Sequence, residues 1–135
     1  MKTSRIALIG CVVIAVATGV AASSCDDDHD EEPGTPTGAT CPSGSSLTYA
    51  SFGQSFVQTY CQRCHASTVM GAARMGAPAD HTFDQVQDIQ LLREHMDELA
   101  GAGPDAVNTA MPPSAPVPSE AERRQLSEWL ACGAP

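Results

Sequence analysis

The stretch "YCQRCHAST", residues 60–68, separates Cys61 from Cys64 by two residues and sets His65 directly behind the second cysteine. Three chemistries use such a spacing: a zinc knuckle, a redox-active dithiol, and an anchor for a covalently held group. A zinc site needs a second pair of ligands at comparable spacing, and the chain offers none. A redox dithiol sits at a helix N-terminus after a strand, where the helix dipole lowers the thiol pKa. The residues before Tyr60 therefore arbitrate between the last two.

Those residues read as a helix. Tyr49, Phe52, Phe56, Val57 and Tyr60 recur at helical spacing, which predicts an amphipathic helix from about Leu47 to Tyr60 leading into the motif. Gly53 lies on the same face and leaves room for another element to come close. Further on, Val86, Ile89, Leu92, Met96 and Leu99 mark an apolar stripe. Thr82 and Gln85 are spaced as a capping box in front of it, and Gly101 and Gly103 end it. A third helix is expected from Ser119, with Glu122 completing its capping box, Leu126, Trp129 and Leu130 facing inward, and Gly133 as its stop. Between the last two helices "MPPSAPVP", residues 111–118, carries four prolines and reads as a stiff, extended strap. No strand pattern and no internal repeat occurs. The expected fold class is all-α, in one domain over residues 41–135. Aromatic residues make up only 4% of the chain, so such a small core needs something to fill its middle.

The N-terminal part has a different character. Lys2 and Arg5 precede the apolar run "IALIGCVVIAVATGVAA", residues 6–22, the pattern of a secretory signal peptide over residues 1–24. A retained membrane anchor is the competing reading, disfavoured because "AASSC" follows instead of a basic stop-transfer flank. "ASSC" resembles a bacterial lipobox ending at Cys25, which would then carry lipid and hold the protein to a membrane; ordinary cleavage after Ala22 is the alternative. "DDDHDEEPGTPTGAT", residues 26–40, holds no large apolar residue, so residues 25–40 are expected to be a solvated tether.

The 135 residues carry a formal charge of −9. Without Lys2 and Arg5 five arginines face sixteen acids, and the part from Thr40 onward keeps a balance of −5. There is no basic patch, which argues against nucleic acid or an anionic membrane surface as partner.

Cys-x-x-Cys-His is also the attachment spacing of c-type haem. The two thiols reach the two vinyl groups on one porphyrin edge, and the adjacent imidazole swings under the iron. Cysteine arithmetic agrees with that use. Of six cysteines, Cys11 leaves with the signal, Cys25 takes lipid, and Cys61 and Cys64 take haem. Cys41 and Cys132 remain to pair in an oxidising compartment. Two disulfides among Cys41, Cys61, Cys64 and Cys132 are the alternative, and they would leave His65 without a purpose.

In order, the chain then resembles a small monohaem c-type cytochrome. A helix precedes "CQRCH", "GAP" follows at Gly76–Pro78, "MPP" begins at Met111, and "LSEWLACGAP" closes the chain from Leu126. The resemblance covers roughly Leu47 to Pro135 and implies a cytochrome c-like fold with crossed N- and C-terminal helices around one covalent haem c. By residue it implies thioethers at Cys61 and Cys64, His65 as proximal ligand and Met111 as distal ligand. It further implies that the Pro78 carbonyl takes the hydrogen bond from the other nitrogen of His65. The implied role is a monomeric single-electron carrier acting on redox partner proteins. The basic rim by which many such cytochromes find acidic partners is missing here.

Several residues keep two readings. Arg74 could bind a haem propionate through its fork or sit on an exposed loop. His81 is the rival to Met111; His95 is expected to be solvated and Met96 to be core. If Met111 does not bind iron, an open sixth position would suit a sensor or a peroxidase-like module. A structural lipoprotein with incidental haem is the remaining alternative.

Overall fold

A computed structural model describes residues 34–135. The expected signal peptide, the expected lipidation site Cys25 and the acids of the run from Asp26 to Glu32 lie outside the described residues.

The first helix starts where hydroxyls can cap it. Thr48 Oγ1 accepts from the Ser51 amide (3.1 Å), and Ser51 Oγ accepts from the Thr48 amide (2.9 Å). A wide π-helical turn, Tyr49–Gly53, runs into α1, Gln54–Tyr60, and then through Cys61 into the short α2, Gln62–His65. Phe56 and Val57 face the core from α1. The chain next passes a 3₁₀ turn at Gly71–Arg74 and reaches α3, Val86–Leu91, α4, Arg93–Ala100, and α5, Glu120–Ala131. Among the described residues there is no strand beyond a single Ala102–Val107 bridge. The architecture is all-α.

Gly53 is what lets the ends of the domain meet. A Cβ there would lie 2.4 Å from Trp129 Cζ2, so only glycine leaves the indole its place. Trp129 is fully buried, packs edge-on against Phe52 (6.0 Å, 70°), and donates through Nε1 to the Pro135 carbonyl (3.3 Å). Tyr60, at the other end of α1, donates to Glu122 Oε1 at the start of α5 (2.9 Å). α5 begins with the expected box: Glu122 Oε2 accepts from the Ser119 amide (2.8 Å) while Ser119 Oγ accepts from the Glu122 amide (3.3 Å). Cys41 and Cys132 form the expected disulfide.

Two regions depart from their sequence expectations, the second expected helix and the tether. The apolar stripe of Val86–Leu99 is one helix by periodicity but two in the fold, broken at Leu92 (φ −102°, ψ 12°). The Thr82–Gln85 box does not form, and α3 begins at Val86 without a side-chain cap. Phe83 is the physical reason. Its ring is buried and its amide donates to the His65 carbonyl (2.9 Å), so the chain stays extended until that contact is made.

The second correction concerns the tether. Residues 34–40 do not run free; they pack on α4. Thr37 is fully buried, its amide and hydroxyl both donating to the Asp97 carboxylate (2.8–3.1 Å), which also accepts from Ser127 Oγ. Gly34 lies so close to the Glu98 carbonyl that no Cβ would fit. The segment docks through hydrogen bonds and backbone contact instead of apolar burial, which a hydropathy reading does not register.

Candidate functional site

The motif closes one wall of a cavity of about 280 Å³. Cys61 ends α1, its amide bonded to the Val57 carbonyl (2.9 Å), and the Cys61 carbonyl then takes both the Cys64 amide (3.1 Å) and the His65 amide (3.0 Å). This tight turn brings both sulfurs and the imidazole to one side. Cys61 and Cys64 are unpaired thiols. Burial pushes the Cys61 thiol up to about 12, with nearby Arg63 pulling weakly the other way. A reactive dithiol needs the opposite shift, so burial at Cys61 works against a nucleophilic thiol there.

His65 stacks on Phe83 (4.7 Å between centroids, 22°), and its Nδ1 lies 2.9 Å from the His81 carbonyl. A carbonyl only accepts, so the Nδ1 position carries a proton, and in the neutral ring that leaves the lone pair a ligand needs on Nε2. This corrects the Pro78 expectation: the orienting carbonyl belongs to His81, three residues later. The Pro78 carbonyl instead accepts from Arg74 Nη2.

Arg74 is likewise not available to a carboxylate. Its side chain is turned inward, and its fork donates to five carbonyls: Ala77 from Nε (3.0 Å), Ala66 and Val69 from Nη1 (3.2 and 3.3 Å), and Pro78 and His81 from Nη2 (3.2 Å to the latter). A guanidinium has five N–H donors, and all are used. Arg74 gathers the whole loop between α2 and Phe83.

Met111 lines the same cavity, together with Pro112 and Pro113. Its amide donates to the Leu99 carbonyl (2.9 Å), and its carbonyl accepts from Arg123 Nη1 (2.7 Å). Arg123 also donates to the carbonyls of Ala100 and Asn108 (2.8 Å each) and is only 3% exposed, burial pulling its pKa down. Arg63, inside the motif, donates to the carbonyls of Ser114 and Ala115 and so ties the proline strap to α2; its Nε is buried without a partner.

Sequence reasoning passed over Arg63 and Arg123. Arg123 had a signal: it precedes Leu126 and Leu130 by three and seven positions, on the inward face of α5. Arg63 had none.

The rival ligands do not all leave the cavity. Met70 is exposed (79%) and away from it, whereas the exposed Met75 (59%) and the core residue Met96 both line it. His81 lines the cavity, as does His95, which is half-buried instead of solvated and meets His81 edge-on (5.2 Å). Among the described residues no three His, Cys, Asp or Glu side chains are grouped to hold a bare metal ion. No protein family, curated protein or solved structure matches the chain.

Proposed function

We propose that this chain is an exported c-type cytochrome, a single-electron carrier whose haem is held covalently by Cys61 and Cys64. One observation carries the reading: two unpaired thiols, a histidine protonated on Nδ1 and Met111 meet on one cavity in an otherwise closed helical core. The donor set fits a covalently held haem, since each of the two thiols, the imidazole and the thioether has a use there. When bound, the haem supplies a one-electron ferric–ferrous couple.

The chain's own work is to hold and to exclude. His65 is kept in one tautomer by the His81 carbonyl and in one plane by Phe83. Met111 is fixed at both its amide and its carbonyl, which suits a thioether, a weak ligand that has to be placed. The buried side chains of Phe56, Met96 and Leu99 on the cavity wall keep water from the site. On this reading the helices form a small cytochrome c-like fold, supported by the packing of the π turn and α1 on α5 through Gly53, Trp129 and Tyr60.

The same reading places a lipid anchor at Cys25 and a monomeric domain at the cell envelope. Its redox partner proteins meet an acidic surface. The test is expression of the full chain with a haem maturation system and export. The protein should gain the mass of one haem that survives denaturation, and a c-type pyridine haemochrome band. A haemochrome without that band would overturn the reading. Met111→Ala should abolish the weak sulfur-to-iron band at the red end of the ferric spectrum and admit cyanide. A wild type lacking that band would make His81 the ligand or leave the position open. Cys25→Ser should abolish partitioning into detergent.

A further inference from the structure

The His81 carbonyl has two donors. His65 Nδ1 approaches it at 2.9 Å and Arg74 Nη2 at 3.2 Å. A carbonyl has two lone pairs, so both bonds can form at once. They are not independent, because a charged donor draws density from the oxygen and weakens it as an acceptor for the second. The guanidinium is turned inward, and every partner found for it is a neutral carbonyl, never a carboxylate. Its positive charge is therefore uncancelled within its own shell, behind His65.

We propose that Arg74 is a positioning and tuning residue for His65, and that by sharing the His81 carbonyl it raises the reduction potential of the site. The inference rests on the cytochrome reading above. Two effects act with the same sign. Less donation from Nδ1–H to the carbonyl leaves the imidazole a poorer electron donor through Nε2, which favours the reduced state. A fixed positive charge in a poorly solvated place also disfavours the more positive ferric form. Arg74 thus does through the carbonyl what the sequence could suggest only for a direct contact with a carboxylate.

The test compares full-length holoprotein with Arg74→Gln and Arg74→Lys. Glutamine keeps a donor for the loop without the charge; lysine keeps the charge without the fork. Arg74→Gln should shift the ferric:ferrous ratio at fixed poise toward ferric by about tenfold, about 59 mV for a one-electron couple. It should also move the His65 Nδ1 proton downfield in the ferrous protein, as that hydrogen bond strengthens. Arg74→Lys should stay closer to wild type in potential. A merely bracing role predicts lower stability in both variants with the potential and the proton resonance unmoved, and that result overturns the proposal. If neither variant keeps its haem, the ferrous wild type decides. A cross-relaxation peak between the Arg74 guanidinium protons and the His65 ring proton supports the shared carbonyl, and its absence overturns it. A wild type without a c-type haemochrome defeats the cytochrome reading itself and this inference with it, whereas a haemochrome with an unmoved potential defeats only the role of Arg74.

Discussion

His65 and Met111 are held by the same kind of bond, an N–H to a backbone carbonyl, but the bonds come from different parts of the molecule. On the His65 side the contacts are local: Arg74 reaches carbonyls no more than eight residues away, and His65 reaches sixteen residues on to His81. On the Met111 side they come from elsewhere. Arg63 spans some fifty residues from α2 to Ser114 and Ala115, while Met111 itself is held by the end of α4, through the Leu99 carbonyl, and by Arg123 of α5. The first side is an assembled loop in its own right. The second leans on another helix, since α5 supplies through Arg123 the donor for the carbonyls of Ala100, Asn108 and Met111. Hydrogen exchange puts this contrast at risk: the Met111 amide, bonded to Leu99, should exchange before the His81 amide, bonded to Pro78. Equal rates would break it.

The largest expected effect comes from the Cys41–Cys132 disulfide, which pins the end of α5 to the start of the domain across 91 positions. Replacing both cysteines by serine should cost about 4.6 kcal/mol on the chain-entropy model. In urea the protection of Met111 should fall further than that of His81. A uniform loss would mean that the two sides unfold as one.

Arg123→Met comes next. It leaves the carbonyls of Ala100, Asn108 and Met111 without their shared donor, at a cost of about 3 kcal/mol. The methionine fills much of the same space, so the loss is of donors more than of packing. The sulfur–iron band should weaken while the His65 signals hold. Their joint loss would refute the division.

Gly53→Ala sharpens the same point through α5. Overpacking against Trp129 costs about 2–3 kcal/mol, and the helix-propensity gain of about 1 kcal/mol offsets only part of it. A net loss of about 1.5 kcal/mol, measured by urea melting, should displace α5 and with it the strap. A neutral or stabilising effect would show that the indole can move aside.

The same contrast explains what the chain discloses before folding. Cys61, Cys64 and His65 announce themselves because their spacing is tied to the chemistry of side chains. The Ser119–Glu122 box and the Cys41–Cys132 pair do so for the same reason. Gly53 was legible because a glycine on an apolar face has few other uses. The arginines were not, since their partners are backbone carbonyls and every residue has one. No residue type marks the His81 carbonyl over that of Pro78; only the path of the loop, fixed by Phe83 and Arg74, makes the choice. The docking of residues 34–40 stayed hidden likewise, because Asp97 and Thr37 each look like surface residues until they meet.

The smallest effect, and the one with a pH signature, lies at the start of α5. Glu122 uses both oxygens, Oε2 for Ser119 and Oε1 for Tyr60, and these bonds, those to Ser119 foremost, hold its pKa below the usual glutamate value. Its contribution is therefore complete above that usual value and is lost as pH falls through the lowered one. Tyr60 is the mirror case. The bond to Glu122, reinforced by burial and by the carboxylate charge, raises its pKa, so its share is complete below the usual tyrosine value and is lost as pH rises through the raised one. The anchoring of α5 to α1 is thus strongest between the two. Ser119→Ala should cost about 1 kcal/mol near neutrality, the usual worth of an N-cap. Glu122→Gln should flatten the acid limb of the melting-temperature profile, and Tyr60→Phe the alkaline limb. Since this end of α5 carries Arg123, the Met111 amide should follow the acid limb in hydrogen exchange once intrinsic rates are removed, and the His81 amide should not. An acid limb that persists unchanged in Glu122→Gln would assign it to other carboxylates and remove Glu122 from the pH dependence.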